Sequence, residues 1–264
     1  MESDVVIRKD HNGVACITLN RPDSLNSVTP ELAEGLARAV NAAGNDEAIR
    51  SILITGAGRA FCSGGDIKAM SKNLADGKPA ELIRGVVASM NDAIKEIQGA
   101  PKPVVACING VAAGAGLGIA LSCDLRIAAA GAELLTSFLS IGLSPDSSTS
   151  YFLPRLVGLS KATEILFLNR PLSAEEALAH GLVYRVVASE QLWEESLNVA
   201  QTLARGPTRA LARAKRLLRR SLLSTLEDQL DLEAYWITSS SMTEDFSEGV
   251  DAFLSRRPSK FKGR

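Results

Sequence analysis

The sequence predicts an α/β protein with a layered core of alternating strands and helices, followed by a C-terminal region made of helices alone. Apolar runs of strand length alternate with segments of helical periodicity up to about Leu192. Beyond that point the helical periodicity continues with no strand pattern between its stretches. The 264 residues, 46% of them hydrophobic, suffice for a sizeable core. We therefore expect a core over residues 1–192 and a helical region over residues 193–264.

The core elements are predicted in chain order from turn and cap signals. Residues 5–7 and 14–19 form an opening hairpin through a turn that ends in Asn12-Gly13. A helix begins at Thr29-Pro30, because threonine caps a helix well and proline is favoured at its first position. The other core elements predicted here are a strand at 52–55, a helix at 80–98 and a strand at 103–108. The C-terminal helices are predicted at residues 193–205, 207–222, 225–238 and 245–254.

Composition excludes some function classes. Lys and Arg number 29 against 30 Asp and Glu, for a net charge of −1, so no global field draws this protein to nucleic acid or to an anionic membrane. No apolar run approaches the roughly 18 to 20 residues that cross a bilayer, and residues 1–4 show neither the basic nor the apolar segment of a leader. We expect a cytoplasmic protein without nucleic-acid or membrane partners.

The four cysteines point to reduced thiols rather than disulfides or a metal site. Cys16, Cys62, Cys107 and Cys123 have no close-pair spacing, and three of them lie in apolar runs. Cys62 lies in a glycine-rich loop, where partial exposure is open, but no histidine is placed to activate it.

Two glycine-rich segments each run from an apolar strand through a turn into a helix. Residues 59–68 read RAFCSGGDIK and residues 109–118 read NGVAAGAGLG. A helix start leaves free N–H donors and a positive dipole end, and two such turns can aim two amides at one oxygen. A thioester carbonyl held there would be polarised and its enolate stabilised. Either turn by itself can also serve only to connect a strand to a helix.

These segments, together with RPDSLNS at 21–27 and DLRIA at 124–128, closely resemble the enoyl-CoA hydratase/isomerase (crotonase) superfamily. The resemblance extends over essentially the whole chain. It implies a spiral of repeated ββα units with a C-terminal helical trimerisation region, and assembly as a homotrimer or as a hexamer formed by a dimer of trimers. It also implies that the N–H groups of Gly65 and Ala115 hold the acyl-CoA carbonyl, with CoA as part of the substrate and no separate cofactor or metal.

The chain departs from the hydratase pattern at both of its glutamate positions. The first, two residues after the small-residue turn, is Gly118, and the second is Phe138. Neither residue can transfer a proton, so hydration by two glutamates is not expected. Phe138 is either an apolar wall of the site or an ordinary core residue.

Asp146 is the remaining well-placed carboxylate. An aspartate before a helix is commonly a cap, which stabilises by about 1 kcal/mol without a catalytic role. The segment GLSPDS at 142–147, however, resembles ring-opening epoxyphenylacetyl-CoA isomerases and related enoyl-CoA isomerases, in which the corresponding aspartate moves the proton. One carboxylate with a raised pKa can carry out an allylic isomerisation while two amides hold the dienolate.

The other ionisable candidates are expected to be structural. Asp66 would cap its helix, and Asp124 would end a helix or pair with Arg126. His11 and His180 are the only histidines and lie in a turn and at a helix end, which weakens the alternative of hydrolytic dehalogenation.

Binding of CoA needs cations and main-chain contacts. By resemblance, Ser24 and Leu25 line the pantetheine and adenine pocket, Ile67 and Lys68 follow the first donor, and Phe261 covers CoA from its own or a neighbouring subunit. The function predicted from these residues is isomerisation of an enoyl- or epoxy-aryl-acyl-CoA. The alternatives are an enoyl-CoA hydratase, an acyl-CoA hydrolase, and an inactive scaffold or RNA-binding homologue. The acyl group itself stays open.

Overall fold

The computed structural model describes residues 4–77 and 79–264, and the residues 1–3 that were examined for a leader lie outside them. Ten strands form two sheets in the described chain. They are β1 (Val6–His11), β2 (Val14–Leu19), β3 (Ser51–Gly56), β4 (Ala60–Cys62), β5 (Val104–Ile108), β6 (Val111–Ala113), β7 (Leu125–Ala129), β8 (Glu133–Leu135), β9 (Leu172–Ser173) and β10 (Arg185–Val187).

The two sheets are built from a repeated unit. The larger sheet has the order β1-β2-β3-β5-β7-β10 and the smaller has the order β4-β6-β8-β9. The strands β3, β5 and β7 enter the first sheet, and the strand after each of them enters the second. All pairings are parallel apart from β1 with β2 and β8 with β9. This confirms the predicted ββα repetition, and every residue of β3 and β5 is buried, as parallel strands covered on both faces require.

Eleven α-helices connect and cover the sheets in the described chain. They are α1 (Pro30–Asn45), α2 (Ile67–Ala75), α3 (Pro79–Gly99), α4 (Ala115–Ser122), α5 (Thr149–Val157), α6 (Leu159–Leu168), α7 (Ala174–Ala179), α8 (Leu192–Ala204), α9 (Thr208–Ser221), α10 (Leu226–Ser240) and α11 (Glu244–Leu254).

The predicted start of α1 is confirmed. Pro30 is its first residue, and the Thr29 hydroxyl accepts the Leu32 N–H, which satisfies one of the free donors at the helix start.

The C-terminal helices follow the predicted pattern, and their attachment to the core differs from helix to helix. On α8, Leu192, Ala200 and Ala204 are buried, and the Ala200 carbonyl accepts the Ser51 hydroxyl of β3 at 2.7 Å. On α10 none of the residues, all of them described, is buried. The division at residue 192 stays a prediction.

Asp124 fixes α9 to the core, and its predicted pairing with Arg126 is wrong. The Asp124 carboxylate accepts the Lys215 ammonium at 2.8 Å and the Val104 N–H at 2.8 Å. Arg126 instead donates to the carbonyls of Leu182 and Cys123. A buried lysine from a distant helix supplies the counter-charge, a partner that sequence proximity does not indicate. The alternative role was to end a helix; α4 ends at Ser122 with Cys123 at the capping position, and Asp124 is the next residue.

No helix in residues 4–77 and 79–264 has the length and apolar character needed to cross a membrane. In the same ranges no group of three His, Cys, Asp or Glu side chains is arranged to hold a metal ion.

Candidate active site

The second glycine-rich segment turns sharply into a buried helix. Gly114 takes φ 51° and ψ −120°, a conformation that residues with a Cβ rarely adopt, and α4 begins at the next residue, Ala115. All eight residues of α4 are buried. Because Ala115 is the first residue of the helix, its N–H has no intrahelical acceptor.

The first glycine-rich segment packs directly on the second. Gly64 has φ 92°, and a Cβ there would lie 2.9 Å from the Ala113 carbonyl oxygen and 3.6 Å from Gly114 Cα. Only glycine permits this approach. The loop is also held by Val28, whose N–H donates to the Gly64 carbonyl at 2.7 Å and whose carbonyl accepts the Asp66 N–H. The backbone is extended here, so these two bonds turn the N–H of the intervening Gly65 to the opposite side.

Gly65 and Ala115 line one cavity of about 260 Å³. Neither N–H group donates a hydrogen bond to any other group in the described chain. A buried amide normally has a partner, so two free donors on one cavity can receive an acceptor from a bound molecule. The structure thus brings together the two residues that the sequence analysis selected as donors.

Asp66 is the cap that the sequence predicts. Its carboxylate accepts the Ala69 N–H at 3.2 Å and pairs with Arg21 at 3.1 Å. Burial raises the pKa of Asp66, but these bonds outweigh burial and leave the pKa below its usual value. The charged carboxylate therefore holds the first glycine-rich segment, called the first loop below, to the start of α2 and to Arg21.

The rest of the cavity is mostly apolar. Its walls come from α2 and α3 on one side and from the segment before α5 on the other. The apolar side chains that line it are Ile67, Met70, Ile83, Val86, Val87, Phe138, Ile141 and Leu143. Among its described lining residues, Asp146 alone is ionisable.

The Asp146 carboxyl is partly buried and faces this apolar space. Desolvation by burial raises its pKa, and a hydrogen bond from the Ser147 hydroxyl to Oδ1 at 2.8 Å acts in the opposite direction. The net effect is a raised pKa, as expected for a carboxylic acid that exchanges protons near neutral pH.

The alternative reading of Asp146 as a helix cap is wrong. The capping position of α5 is Ser148, two residues later, and the Asp146 main-chain carbonyl, not its side chain, accepts the Thr149 N–H. Two consecutive left-handed residues, Ser147 at φ 48° and Ser148 at φ 65°, separate Asp146 from the helix and leave its carboxyl on the cavity.

Two positions at which hydratases of the crotonase superfamily carry glutamate, Gly118 and Phe138 in this chain, lie at or near this cavity. Gly118 is buried in α4, and Phe138 is 7% exposed and forms part of the wall. Phe138 is therefore both a core residue and part of the apolar wall of the site, so the two interpretations of this residue are compatible.

The predicted CoA-binding residues fall into separate groups. Ile67 lines the cavity. Ser24 and Lys68 are exposed and do not line it, whereas the Leu25 carbonyl accepts the Ser63 N–H at 3.0 Å and so contacts the first loop. Within one chain, Phe261 lies at a different cavity of about 900 Å³, together with Arg50 and Lys262. The CoA-binding roles of these residues stay predictions.

Apart from Ile67, the apolar wall from α2 and α3 was not predicted from the sequence. The sequence spacing i, i+3, i+4 predicts that one helix face carries Ile83, Val86 and Val87. The sequence does not predict which cavity this face lines, because that depends on how α3 packs beside α2. Ser147 was also missed, since its contact with Asp146 requires the left-handed turn.

Cys62 is fully buried, so the partial exposure left open for it does not occur. A Cβ on Gly116 of α4 would lie 2.7 Å from Cys62 Cβ, which shows how closely the helix covers it. Burial raises the pKa of the thiol to about 12. Such a thiol is an inert core group.

The enoyl-CoA hydratase/isomerase family model matches residues 9–264. The chain belongs to the enoyl-CoA hydratase/isomerase family. A similar protein of this family is the 1,2-epoxyphenylacetyl-CoA isomerase of Escherichia coli K12, 37% identical over 262 residues that cover 99% of each chain. Another, from Rhodobacter capsulatus, bears the name "Probable enoyl-CoA hydratase" and is 37% identical over 96% of this chain and 95% of its own.

Solved structures of the family agree with the fold. The crystal structure of an enoyl-CoA hydratase from Bacillus anthracis has a TM-score of 0.93 at 30% identity, covering 98% of this chain and 100% of that one. The predicted crotonase fold is thereby confirmed. The protein is an enzyme of this family, an acyl-CoA substrate agrees with the family, and the relatives carry both isomerase and hydratase names.

Proposed function

We propose that this enzyme isomerises an enoyl- or epoxy-aryl-acyl-CoA thioester, with Asp146 as its proton carrier and the N–H groups of Gly65 and Ala115 as its oxyanion hole. One observation carries the proposal. The two unpaired amides and a single carboxyl with a raised pKa line the same largely apolar cavity.

The reaction needs one acid/base group. For an enoyl thioester whose carbonyl oxygen lies at the two amides, the Asp146 carboxylate removes a proton from a carbon activated by the conjugated carbonyl. The C–H electron pair passes into the chain and its charge reaches the thioester oxygen, where the amides stabilise the dienolate. The carboxylic acid then returns the same proton to another carbon of the dienolate, the double bond shifts, and no water or redox cofactor is consumed.

The composition of the wall favours isomerisation over hydration. Hydration of a double bond generally uses two carboxylates, one that activates water and one that delivers the proton. Gly118 and Phe138 stand at the two hydratase positions, and no second ionisable side chain is found among the described residues that line the cavity. The name of the E. coli relative, 1,2-epoxyphenylacetyl-CoA isomerase, agrees with this choice.

A hydratase, or a hydrolase, that works with one carboxylate is the alternative, and the hydratase names among the relatives favour keeping it under test. CoA enters as part of the substrate in either reaction, and we assign no separate cofactor. Assembly as a trimer or as a dimer of trimers stays a proposal.

Mass spectrometry of a panel of acyl-CoA thioesters in heavy-oxygen water tests the proposal. The panel contains straight-chain, branched and aryl thioesters, each incubated with the wild-type enzyme and with Asp146→Asn. Isomerisation yields a product of unchanged mass and new structure, and the formation of this product requires Asp146. Gain of labelled oxygen in the product would replace the proposal with hydration or hydrolysis.

A further inference from the structure

The turn that carries Asp146 packs against α4 at Gly118. A Cβ at this position would lie 2.1 Å from the Ser147 carbonyl oxygen, 2.8 Å from Ser147 Cβ and 3.0 Å from the Ser147 carbonyl carbon. Two of these atoms are backbone, and a Cβ contact below 3.0 Å forces something to shift. The close contact therefore exists only because residue 118 has no side chain.

Ser147 links that contact to the carboxyl. It is 3% exposed and adopts φ 48°, and its hydroxyl donates to Asp146 Oδ1 at 2.8 Å. The next residue, Ser148, is also left-handed, and its hydroxyl donates to the Ser147 carbonyl. A left-handed pair of residues that are not glycine persists only where the surroundings fix it. Here Ser147 packs closely against the backbone of α4 at Gly118.

We propose that Gly118 and Ser147 are positioning residues that together set the place and direction of the Asp146 carboxyl, an inference that rests on the proposed role of Asp146. Gly118 admits the Ser147 backbone, and the Ser147 hydroxyl orients Oδ1. Neither residue touches the reacting atoms.

The packing at Gly118 also restricts which reaction the site can carry out. The space next to Gly118 that a side chain would need is filled by the Ser147 main chain. A glutamate introduced at position 118 would therefore displace the Asp146 turn instead of adding a second carboxylate beside it. The arrangement with one carboxylate is thus built into the packing of the turn, and one substitution does not convert it into a pair.

The experiment compares wild type, Gly118→Ala, Gly118→Glu and Ser147→Ala. Gly85→Ala is the matched control, because Gly85 is also helical and a Cβ there has nothing within 4 Å. Turnover is measured with a thioester that the wild type converts, in heavy-oxygen water. The pKa of Asp146 is measured independently by ¹³C NMR of labelled aspartate, with Asp146→Asn used to assign the signal.

We expect Gly118→Ala to lower kcat by about 10- to 100-fold, because a misplacement of about 1 Å can cost that much. Gly118→Glu should lose isomerisation without gaining labelled oxygen, and Gly85→Ala should match the wild type. Ser147→Ala should raise the Asp146 pKa further, since it removes a hydrogen bond to the charged form.

Full turnover in Gly118→Ala, or labelled product from Gly118→Glu, would overturn the positioning role of Gly118. An unchanged Asp146 pKa in Ser147→Ala would overturn that of Ser147, even if Gly118→Ala fails to fold. Failure of the proposed function looks different, since Asp146→Asn would then keep its turnover. The NMR titration does not depend on turnover, so it decides about Ser147 in that case too.

Discussion

The two sides of the cavity are built in opposite ways. Every residue of α4 is buried, whereas none of the residues of α2, all within the described ranges, is buried. The α4 side is fixed by backbone packing, with Gly116 against Cys62 and Gly118 against Ser147. On the other side, the side chain of Asp66 holds the first loop to the start of α2 and to Arg21.

This difference separates rigid from adaptable parts of the site. Close-packed backbone cannot shift without the whole helix, so Ala115 and the turn of Asp146 are held tightly. The wall from α2 and α3 presents Met70 and Ile83 on helices that are partly open to solvent. Flexible apolar side chains on such helices can adapt to the acyl group. We infer that the proton carrier Asp146 and the donor Ala115 lie on the rigid side, that the donor Gly65 lies where the two sides meet, and that acyl selection belongs to the adaptable side.

The largest expected effect on this comparison comes from Asp146→Asn. The substitution keeps the shape of the rigid side and the acceptor for the Ser147 hydroxyl but removes the base. Turnover should fall by about 10²- to 10⁴-fold, while the dissociation constant of an unreactive acyl-CoA changes little. Steady-state kinetics and calorimetric titration check this. Unchanged turnover would show that Asp146 is not the proton carrier and that the rigid side does not supply the base.

The same variant should be more stable than the wild type at neutral pH. Burial raises the pKa of Asp146 in the folded state above its unfolded value. Its contribution to stability is therefore fully present below the unfolded pKa and is lost as the pH rises through the folded pKa. Urea denaturation should show Asp146→Asn as the more stable protein at pH 7, with the difference vanishing below about pH 3.9. For the same reason, the acid limb of the wild-type kcat/KM profile should lie above the ordinary range of aspartate.

Ala115→Pro tests the second donor and should have the next largest effect. Proline is tolerated at the first position of a helix, and it removes the N–H that faces the cavity. Loss of one such donor costs about 10²- to 10³-fold in kcat.

The matched control is Ala115→Gly, which keeps the N–H and should stay within about threefold of the wild type in kcat because the main chain is the donor. The comparison of kcat and KM for the two variants separates loss of the donor from obstruction by the ring. If Ala115→Pro kept its kcat, the amide would not be a donor to the thioester.

Asp66→Ala should have the smallest effect on turnover, below about tenfold, because the first loop is also held by Val28. Its free energy of unfolding should fall by about 1 to 2 kcal/mol, from loss of the cap and of the pair with Arg21. Asp66→Asn should lose less, because asparagine also caps a helix. Chemical denaturation of both variants measures this. Equal stability of Asp66→Ala and the wild type would mean that the side chain does not hold the adaptable side.

Local signals were enough for most of the elements. The opening hairpin, the cap at Thr29 and the helices after residue 192 were predicted because each depends on neighbours a few residues away. The selection of Gly65, Ala115 and Asp146 came from motifs and resemblance, and the fold brings all three to one cavity. The partner of Asp124 was predicted wrongly because Lys215 lies 91 positions further along the chain (215 − 124).

By itself, the sequence determined the alternation of strands and helices, the two glycine-rich turns, the absence of carboxylates at Gly118 and Phe138, and the family. The tertiary structure alone decided that Asp146 is not a cap, that Cys62 is inaccessible, and that Ser147 fills the space beside Gly118. The physical reason is distance along the chain. Turns and caps are stabilised by contacts between near neighbours, whereas burial and close backbone packing depend on segments that meet only after the sheets and α4 have assembled.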